Sequence, residues 1–312
     1  MIWVILGVCV VFAGMSRVFL QPSNIMEILR QCSTMAILVL GVTWVISLNE
    51  IDNAFPDIAA CASMLTALFI RNGIVFELAA LYAILLSTLF GALTSVLVIR
   101  FQFPSLIATI AVSGLAKALA SAIGKGIPIP VPSTAGSVIY SIVWGKVFGI
   151  PVLFLVAVAL YTVSYFIQEK TRFGQYVYAI GENSQAVQES GIKRKRVMAI
   201  VFIVAAMFAA IGGVLMMGVL QSGQPKMGTS FFLDGFTVVF LGAVVFKMGK
   251  ANVAGTLLGA ILLGILTNGL TLLGASYFMS QIIKGSLLIF GVSVVTMSKN
   301  KQRGKAGVLT YE

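Results

Sequence analysis

The sequence predicts an all-α polytopic membrane protein that forms a single transmembrane domain over residues 1–312. Of its 312 residues, 59% are hydrophobic and only 10% are charged, whereas a soluble domain carries about 25% charged residues. The mean hydropathy is +1.03. In addition, several apolar runs approach the ~20 residues that a helix needs to cross a bilayer.

Ten apolar runs predict about ten membrane spans. Run length decides this, because a helix surrounded by lipid is apolar on every side. The first run has no basic segment before it and no small-residue cleavage site after it, so it is interpreted as a span rather than a signal peptide. The spans are expected near Ile2–Leu20, Ser33–Leu48, Phe55–Ile70, Ile74–Ile99, Phe103–Ile123, Ile150–Ile167, Val197–Leu220, Leu233–Phe246, Asn252–Leu272 and Tyr277–Met297.

The basic residues predict the orientation. Most of the 21 lysines and arginines fall on one side of the ten spans, at Arg100 and within residues 170–172, 193–196, 247–250 and 299–305. The positive-inside rule makes that side cytoplasmic. Both termini are then cytoplasmic, with a C-terminal tail at residues 298–312. The net charge of +11 therefore reports topology, and no nucleic-acid partner is expected.

The longest polar interval runs from Gly181 to Arg196, inside a predicted cytoplasmic loop of residues 168–196. Asn183 or Ser184 can cap a helix there, and Gly191 stands where a glycine ends one. A helix of about two turns is too short to be stable alone in water. Either the rest of the chain or a partner must hold it.

The two halves of the chain show a weak internal repeat. Residues 89–97 are similar to residues 263–270. In each half, the similar segment lies in the span that comes after a short span flanked by an acid, which is Asp57 in the first half and Asp234 in the second. Repeated halves are common in transporters, because two related bundles can move about a central path. Chance similarity between membrane helices is the alternative. The longest outer loop, residues 124–149, is rich in proline and predicts either a cap or a linker lying on the membrane.

Polar residues within the spans are candidates for a translocation path, because they are costly in lipid. The candidates are Asp57, Asp234, Asn268 and Lys284. Asp234 can alternatively cap a helix, and Asn268 can join two helices by a hydrogen bond. Lys284 needs a carboxylate, a carbonyl or water. Gly255 and Gly259 are four residues apart, a spacing that favours close helix packing over contact with a ligand.

Missing motifs argue against an enzyme. The chain has no histidine, no G-x-x-x-x-G-K-[ST] phosphate loop, no G-x-S-x-G motif and no H-E-x-x-H motif. Its three cysteines are scattered through or beside apolar runs without metal-ligand spacing. The sequence therefore predicts a protein that is not an enzyme and that holds no metal or cofactor.

The polar interval and the segments after it resemble one transporter family. Residues 173–192 look like the cytoplasmic coupling loop of ribose-type ABC importer permeases, whose pattern is close to G-x-N-x-x-A-A-x-x-S-G-I. The resemblance continues in order to Gly291 and covers most of residues 174–291. The matching segments lie at residues 212–215, 224–225, 228, 233–234, 255–259, 268–270 and 283–285.

The resemblance implies a type II-like ABC importer permease in the bacterial cytoplasmic (inner) membrane. It would carry a small polar solute, such as the monosaccharide ribose, inward by alternating access. The expected partners are ABC ATPase subunits that use ATP and Mg²⁺, an extracytoplasmic solute-binding protein, and a second permease, identical or different. The ATPase would contact the short coupling helix through Glu182, Asn183, Ser184, Ala186, Val187, Glu189, Ser190 and Gly191.

Two other functions are consistent with a polytopic membrane protein. An ion-coupled secondary transporter would take up solute through the membrane potential without ATP. A non-transporting scaffold subunit would assemble with a complex without moving solute. The scarcity of acids within the spans, the absence of histidine and the coupling-loop resemblance all favour the importer.

Overall fold

The computed structural model describes residues 1–132 and 136–308. Residues 133–135 of the predicted outer loop and residues 309–312 of the predicted tail lie outside the described part. The helices described are α1 (Ile2–Met15), α2 (Pro22–Ser47), α3 (Phe55–Arg71), α4 (Phe76–Ile99), α5 (Ser105–Gly124), α6 (Val138–Trp144), α7 (Val152–Lys170), α8 (Arg172–Glu182), α9 (Ser184–Glu189), α10 (Arg194–Leu220), α11 (Gly228–Gly242), α12 (Val253–Leu272) and α13 (Tyr277–Val308). The short strands described are β1 (Ile129–Pro130), β2 (Lys146–Val147), β3 (Ile150–Pro151) and β4 (Ser222–Gly223).

Each predicted span overlaps one helix. Within the described residues, 7 helices are long and apolar enough to cross a membrane, namely α2, α4, α5, α7, α10, α12 and α13. The other three helices that overlap predicted spans are shorter: α1, α3 and α11 have 14, 17 and 15 residues. The chain is therefore an all-α multi-pass membrane protein, and the count of ten crossings stays a prediction.

Helix α10 lies at the centre of the bundle and packs against α2, α3 and α4. Glycines allow these contacts. A Cβ atom on Gly41 of α2 would overlap the backbone of Ala205 in α10. A Cβ atom on Gly213 of α10 would likewise overlap the carbonyl of Ala59 in α3. Lipid tails are as apolar as leucine, so close backbone approach supplies the packing energy that the hydrophobic effect supplies in water.

The helices from α2 to α5 and from α10 to α13 form two related halves. In each half, the second and third helices pack on the first helix of the other half. Helices α3 and α4 pack on α10, just as α11 and α12 pack on α2. Helix α5 packs on α3, as α13 does on α11. Gly91 of α4 meets Ala206 of α10, and the corresponding Gly264 of α12 meets Cys32 of α2. The similar segments 89–97 and 263–270 therefore occupy related places.

The described part of the outer loop is a folded cap. Strand β1 pairs with β4, which follows α10, and β2 pairs with β3. Helix α6 packs on α7 and α10. Arg30 of α2 ties α6 to the bundle, since its Nε donates to the Val143 carbonyl at 3.2 Å and its guanidinium lies 4.4 Å from the centre of the Trp144 ring. The described residues are therefore folded and packed on the helices, and whether they lie on the membrane stays a prediction.

We expect Gly41→Ala and Gly114→Ala to change stability in opposite directions. The first methyl group pushes α2 away from α10 and should cost about 1–3 kcal/mol, as in other overpacked cores. Gly114 of α5 has open space around its Cα. There alanine should gain up to about 1 kcal/mol, because it is the better helix former. Thermal unfolding of the purified variants in detergent measures both, and equal shifts would contradict the packing described.

Candidate functional site

The segment α8–α9 forms the first part of the candidate site. The side-chain oxygen of Asn183 accepts a hydrogen bond from the Ala186 amide at 3.0 Å and caps α9. Gly191 follows the helix with φ of 79°, the left-handed conformation that glycine adopts without strain. Val187 is buried and packs into the main core. Helix α9 is therefore held to the bundle by one apolar side chain, with a cap at its start and a glycine at its end.

The remaining side chains of α9 face outward. Gln185, Ala186, Gln188 and Glu189 are exposed, and so is Ser190 after the helix. Glu189 accepts a hydrogen bond from Gln185 at 3.2 Å, one turn earlier. Ser184 is half-buried. Glu182, at the end of α8, forms an ion pair with Lys250 in the segment between α11 and α12. Ala186 and Ser190 thus present two small exposed side chains one turn apart, with Glu182 before them and Glu189 between them in the chain.

Buried hydrogen bonds join α7 and α8 to the transmembrane helices. Gln168, fully buried at the end of α7, donates from Nε2 to the Ser47 hydroxyl of α2 at 3.2 Å. Its Oε1 accepts from the Val253 amide of α12 at 2.8 Å. The Ser47 hydroxyl also donates to the Ala251 carbonyl at 2.9 Å. A Cβ atom on Gly181 of α8 would overlap the Ser47 carbonyl. The ends of α2 and α12 nearest α9 are therefore bonded to the segment that carries α9.

A second connection links α7 and α8 to the segment after α11. Lys247 pairs with Glu169 at 2.5 Å and lies 4.4 Å from the centre of the Tyr178 ring. The Tyr178 hydroxyl donates to Glu169 at 2.9 Å. Burial and the Glu169 carboxylate both raise the pKa of Tyr178, so the phenol stays protonated and keeps donating. This partly buried cluster fixes α8 relative to α11.

Asp52 has a structural role in the turn between α2 and α3. It is buried, and its Oδ1 accepts from the Ala54 amide at 2.8 Å just before α3 begins. Burial raises the pKa of Asp52 to about 6, and the hydrogen bonds from the Ala54 and Phe55 amides oppose the rise. The acid therefore orders the start of α3 instead of facing solvent.

A cavity of about 400 Å³ forms the second part of the candidate site. It lies at the end of the bundle opposite α9, between α2, α10, α11 and α12. Its polar lining comes from Glu27, Arg30, Gln31, Thr34, Asp234, Thr267 and Thr271, and its apolar lining includes Met35, Met216, Val219, Leu220, Phe231 and Leu263. Glu27 pairs with Arg30 at 2.6 Å. An amphipathic cavity of this size can enclose a small polar molecule with an apolar face.

Asp234, which lines the cavity, has one unpaired carboxylate oxygen. Its Oδ2 accepts from Lys284 of α13 at 2.8 Å, and the two side chains are only 14% and 10% exposed. Its Oδ1 is buried and has no hydrogen-bond partner among the described residues. A buried acceptor normally has a partner, since leaving it unpaired costs free energy. Asp234 lines the cavity, so a movement of its side chain would expose this carboxylate oxygen to a ligand or water there.

The structure separates the other polar residues predicted for a path. Asp57 of α3 accepts from the Ser113 hydroxyl of α5 at 2.5 Å. Asn268 of α12 and Asn24 of α2 exchange two amide hydrogen bonds, at 3.0 and 2.9 Å. Neither Asp57 nor Asn268 lines the 400 Å³ cavity. Their contribution to a path stays a prediction.

The glycines predicted for helix packing lie where α12 meets α11. Gly255 faces the backbone of Gly242, and Gly259 faces the Val238 carbonyl. Asn24, the partner of Asn268, and Ser113, the partner of Asp57, were not predicted from the sequence. For Ser113 a signal exists, because Ser113-Gly114 in α5 corresponds to Lys284-Gly285 in α13.

Comparison with known proteins places these features in context. A family model described as "Branched-chain amino acid transport system / permease component" matches residues 24–292. The chain is 32% identical over 244 residues to the ribose import permease protein RbsC of Haemophilus influenzae, a match that covers 78% of this chain and 76% of that protein. It is 29% identical over 287 residues to RbsC of Escherichia coli, covering 91% and 89%. It is 24% identical over 299 residues to the L-arabinose ABC transporter permease protein AraH of Azospirillum brasilense, covering 94% and 87%. No solved structure gives a significant match.

We expect Lys284→Met to destabilise the protein by about 3–5 kcal/mol, because it leaves Asp234 charged and unpaired in the bundle. Adding Asp234→Asn should recover most of that loss, since the double variant buries no net charge. Thermal unfolding in detergent measures both steps.

Lys117→Met is the matched control, because Lys117 of α5 is exposed and exposed substitutions change stability by about 0.5 kcal/mol or less. If Lys284→Met behaves like this control, the ion pair does not hold α13.

Proposed function

The chain belongs to the family of branched-chain amino acid transport system permease components, and we propose that it is the transmembrane subunit of an ATP-driven ABC importer for a monosaccharide such as ribose. The relatives named as ribose and L-arabinose permeases support the solute class. The proposal includes a type II-like fold with about ten crossings of the bacterial cytoplasmic membrane and both termini in the cytoplasm.

The observation that carries the proposal is the exposed, capped α9, which α8 connects to the end of α7, where Gln168 bonds two transmembrane helices. The sequence holds no phosphate loop, so ATP and Mg²⁺ would bind a separate ATPase subunit. That subunit would dock on Ala186 and Ser190, whose small side chains let a partner surface approach closely. Glu182 is engaged with Lys250, so its main contribution would be to orient α8.

Movement of α9 would reach the membrane helices through rigid contacts. Gln168 bonds α2 and α12 directly, and these two helices also share a hydrogen bond between the Thr43 and Thr256 hydroxyls at 2.9 Å. Further along, both helices line the cavity. A rigid-body displacement of α8 would therefore shift two walls of the cavity together, as alternating access requires.

The cavity would receive the solute. With α9 in the cytoplasm, the cavity lies toward the outer side, beneath the folded cap that contains α6. An extracytoplasmic binding protein would deliver the sugar there, and Arg30 contacts both α6 and the cavity. Hydroxyl groups of a monosaccharide would donate to Asp234, while its apolar face would contact the Met and Leu side chains. A second permease subunit, identical or related, would complete the membrane complex.

We expect Ala186→Arg and Ser190→Arg to weaken association with the ATPase subunit by roughly thirtyfold each, the effect of losing about 2 kcal/mol at an interface hot spot. Uptake should fall in parallel, because the ATPase can no longer act on α9. Co-purification and ATP-dependent uptake in reconstituted vesicles measure the two effects.

Asn72→Arg is the matched control, since Asn72 is exposed at the opposite end of the bundle. If both α9 variants assemble and transport like this control, the coupling role fails. Uptake that follows the membrane potential and ignores ATP would identify an ion-coupled transporter instead.

We expect Thr271→Trp to reduce uptake at least about tenfold, the effect of 1.4 kcal/mol of lost binding, because the indole ring fills the cavity. Association with the ATPase should stay unchanged, since α9 lies at the other end. Leu273→Trp is the control, because Leu273 is also exposed near the end of α12 but does not line the cavity. Normal uptake by Thr271→Trp would place the solute elsewhere.

A further inference from the structure

A second cavity, of about 740 Å³, opens at the α9 end of the bundle. It lies between the turn that joins α4 to α5 and the segment that joins α9 to α10. Four consecutive basic residues, Lys193 to Arg196, line one wall, while Glu50 is the one acid among its lining residues. The wall is therefore strongly cationic.

Arg194 gives this wall a specific donor. Its Nε atom is buried and has no hydrogen-bond partner among the described residues, whereas Lys193, Lys195 and Arg196 are exposed. A buried guanidinium N–H normally has an acceptor. An anionic group would supply one once the Arg194 side chain turns toward the cavity that it lines, and a guanidinium fits a phosphate group well.

The opposite wall is apolar and continues into the outer surface of the bundle. Phe103 lines the cavity and is 47% exposed, and Phe101 beside it is 60% exposed. Their rings lie 6.2 Å apart. Above them, α4 and α5 present large exposed side chains, among them Val96 and Ile107. The cationic wall therefore adjoins the apolar surface that faces lipid.

We propose that this cavity binds the headgroup of an anionic phospholipid, with the phosphate on residues 193–196 and the acyl chains along α4 and α5. A free phosphate ion would leave the aromatic wall unused. An acidic protein surface would have to cover Phe101 and Phe103, whose place beside α4 and α5 suits a lipid chain. A phospholipid can use both walls at once, because its phosphate suits the cationic wall and its acyl chains suit the apolar wall.

Occupation of the cavity would also brace the coupling segment. Gln188 of α9 and Ile192 after it line the same cavity, so a bound headgroup would lie between the end of α4 and α9. The position of α9 would then depend on anionic lipid. This inference does not depend on which solute is carried.

The test compares lipid retention by the purified full-length chain, using native mass spectrometry in neutral detergent with added phosphatidylglycerol or phosphatidylcholine. Wild type should retain phosphatidylglycerol preferentially. Arg194→Gln should lower that retention about fivefold, the effect of one basic residue at a lipid surface. Arg194→Lys keeps the charge and should recover part of the loss. Unchanged thermal unfolding of the variants shows that folding is intact.

Lys170→Gln is the matched control, because Lys170 is exposed at the same end and does not line the cavity. Four results would overturn the proposal. One is equal retention of both lipids. Another is an equal loss in Lys170→Gln, which indicates general surface charge. The third is complete displacement of the lipid by inorganic phosphate, which identifies a free-phosphate site.

An effect of Arg194→Gln on ATPase association alone, with lipid retention unchanged, would assign the cavity to a protein contact and also overturn the proposal.

Discussion

The contact between the backbones of α2 and α10 is the constraint on which the rest of the bundle depends. Gly41 lets the two helices meet at Ala205, and Gly213 then brings α3 onto the other side of α10. Because lipid gives helices no hydrophobic reason to associate, this backbone approach must supply the packing. Once α2 and α10 are joined, each half places its next two helices on the central helix of the other half. The exchanged halves then enclose the cavity between α2, α10, α11 and α12.

Run length predicted where the helices lie but not where they begin. The second span was expected from Ser33, whereas α2 begins at Pro22. The missing turns contain Asn24, Glu27, Arg30 and Gln31, and these polar residues interrupt the apolar run. They are tolerated because they face the cavity, the cap or Asn268 instead of lipid. A hydropathy criterion assumes a lipid-facing helix and therefore fails where a helix lines a polar space.

Of the polar residues that line the cavity, only Asp234 was predicted from the sequence, and its partner Lys284 was predicted separately. Lys284 needed a carboxylate, a carbonyl or water, and Asp234 was equally consistent with a helix cap, so their pairing was not predicted. Such pairs join residues 50 or more positions apart, and no local pattern encodes them. The internal repeat offers the best guide, since Asp57 bonds to Ser113 where Asp234 bonds to Lys284. Corresponding acids thus bind corresponding helices. By contrast, the cap at Asn183 and the glycine at Gly191 are local features, and for that reason sequence alone located them.

The two halves are related, yet they differ in the residue that binds the acid of each half. The first half holds its acid with a neutral serine, while the second uses a lysine and leaves one carboxylate oxygen free beside the cavity. At the other end, Gln168 bonds one helix from each half, α2 and α12. Gln168 belongs to α7, which leads directly into α8, so a displacement of α8 that reaches the end of α7 would act on both halves. Under the proposed mechanism it would shift the wall that α2 contributes and the wall that α12 contributes, so the asymmetric chemistry of the cavity and the symmetric packing of the bundle are connected through a single buried amide.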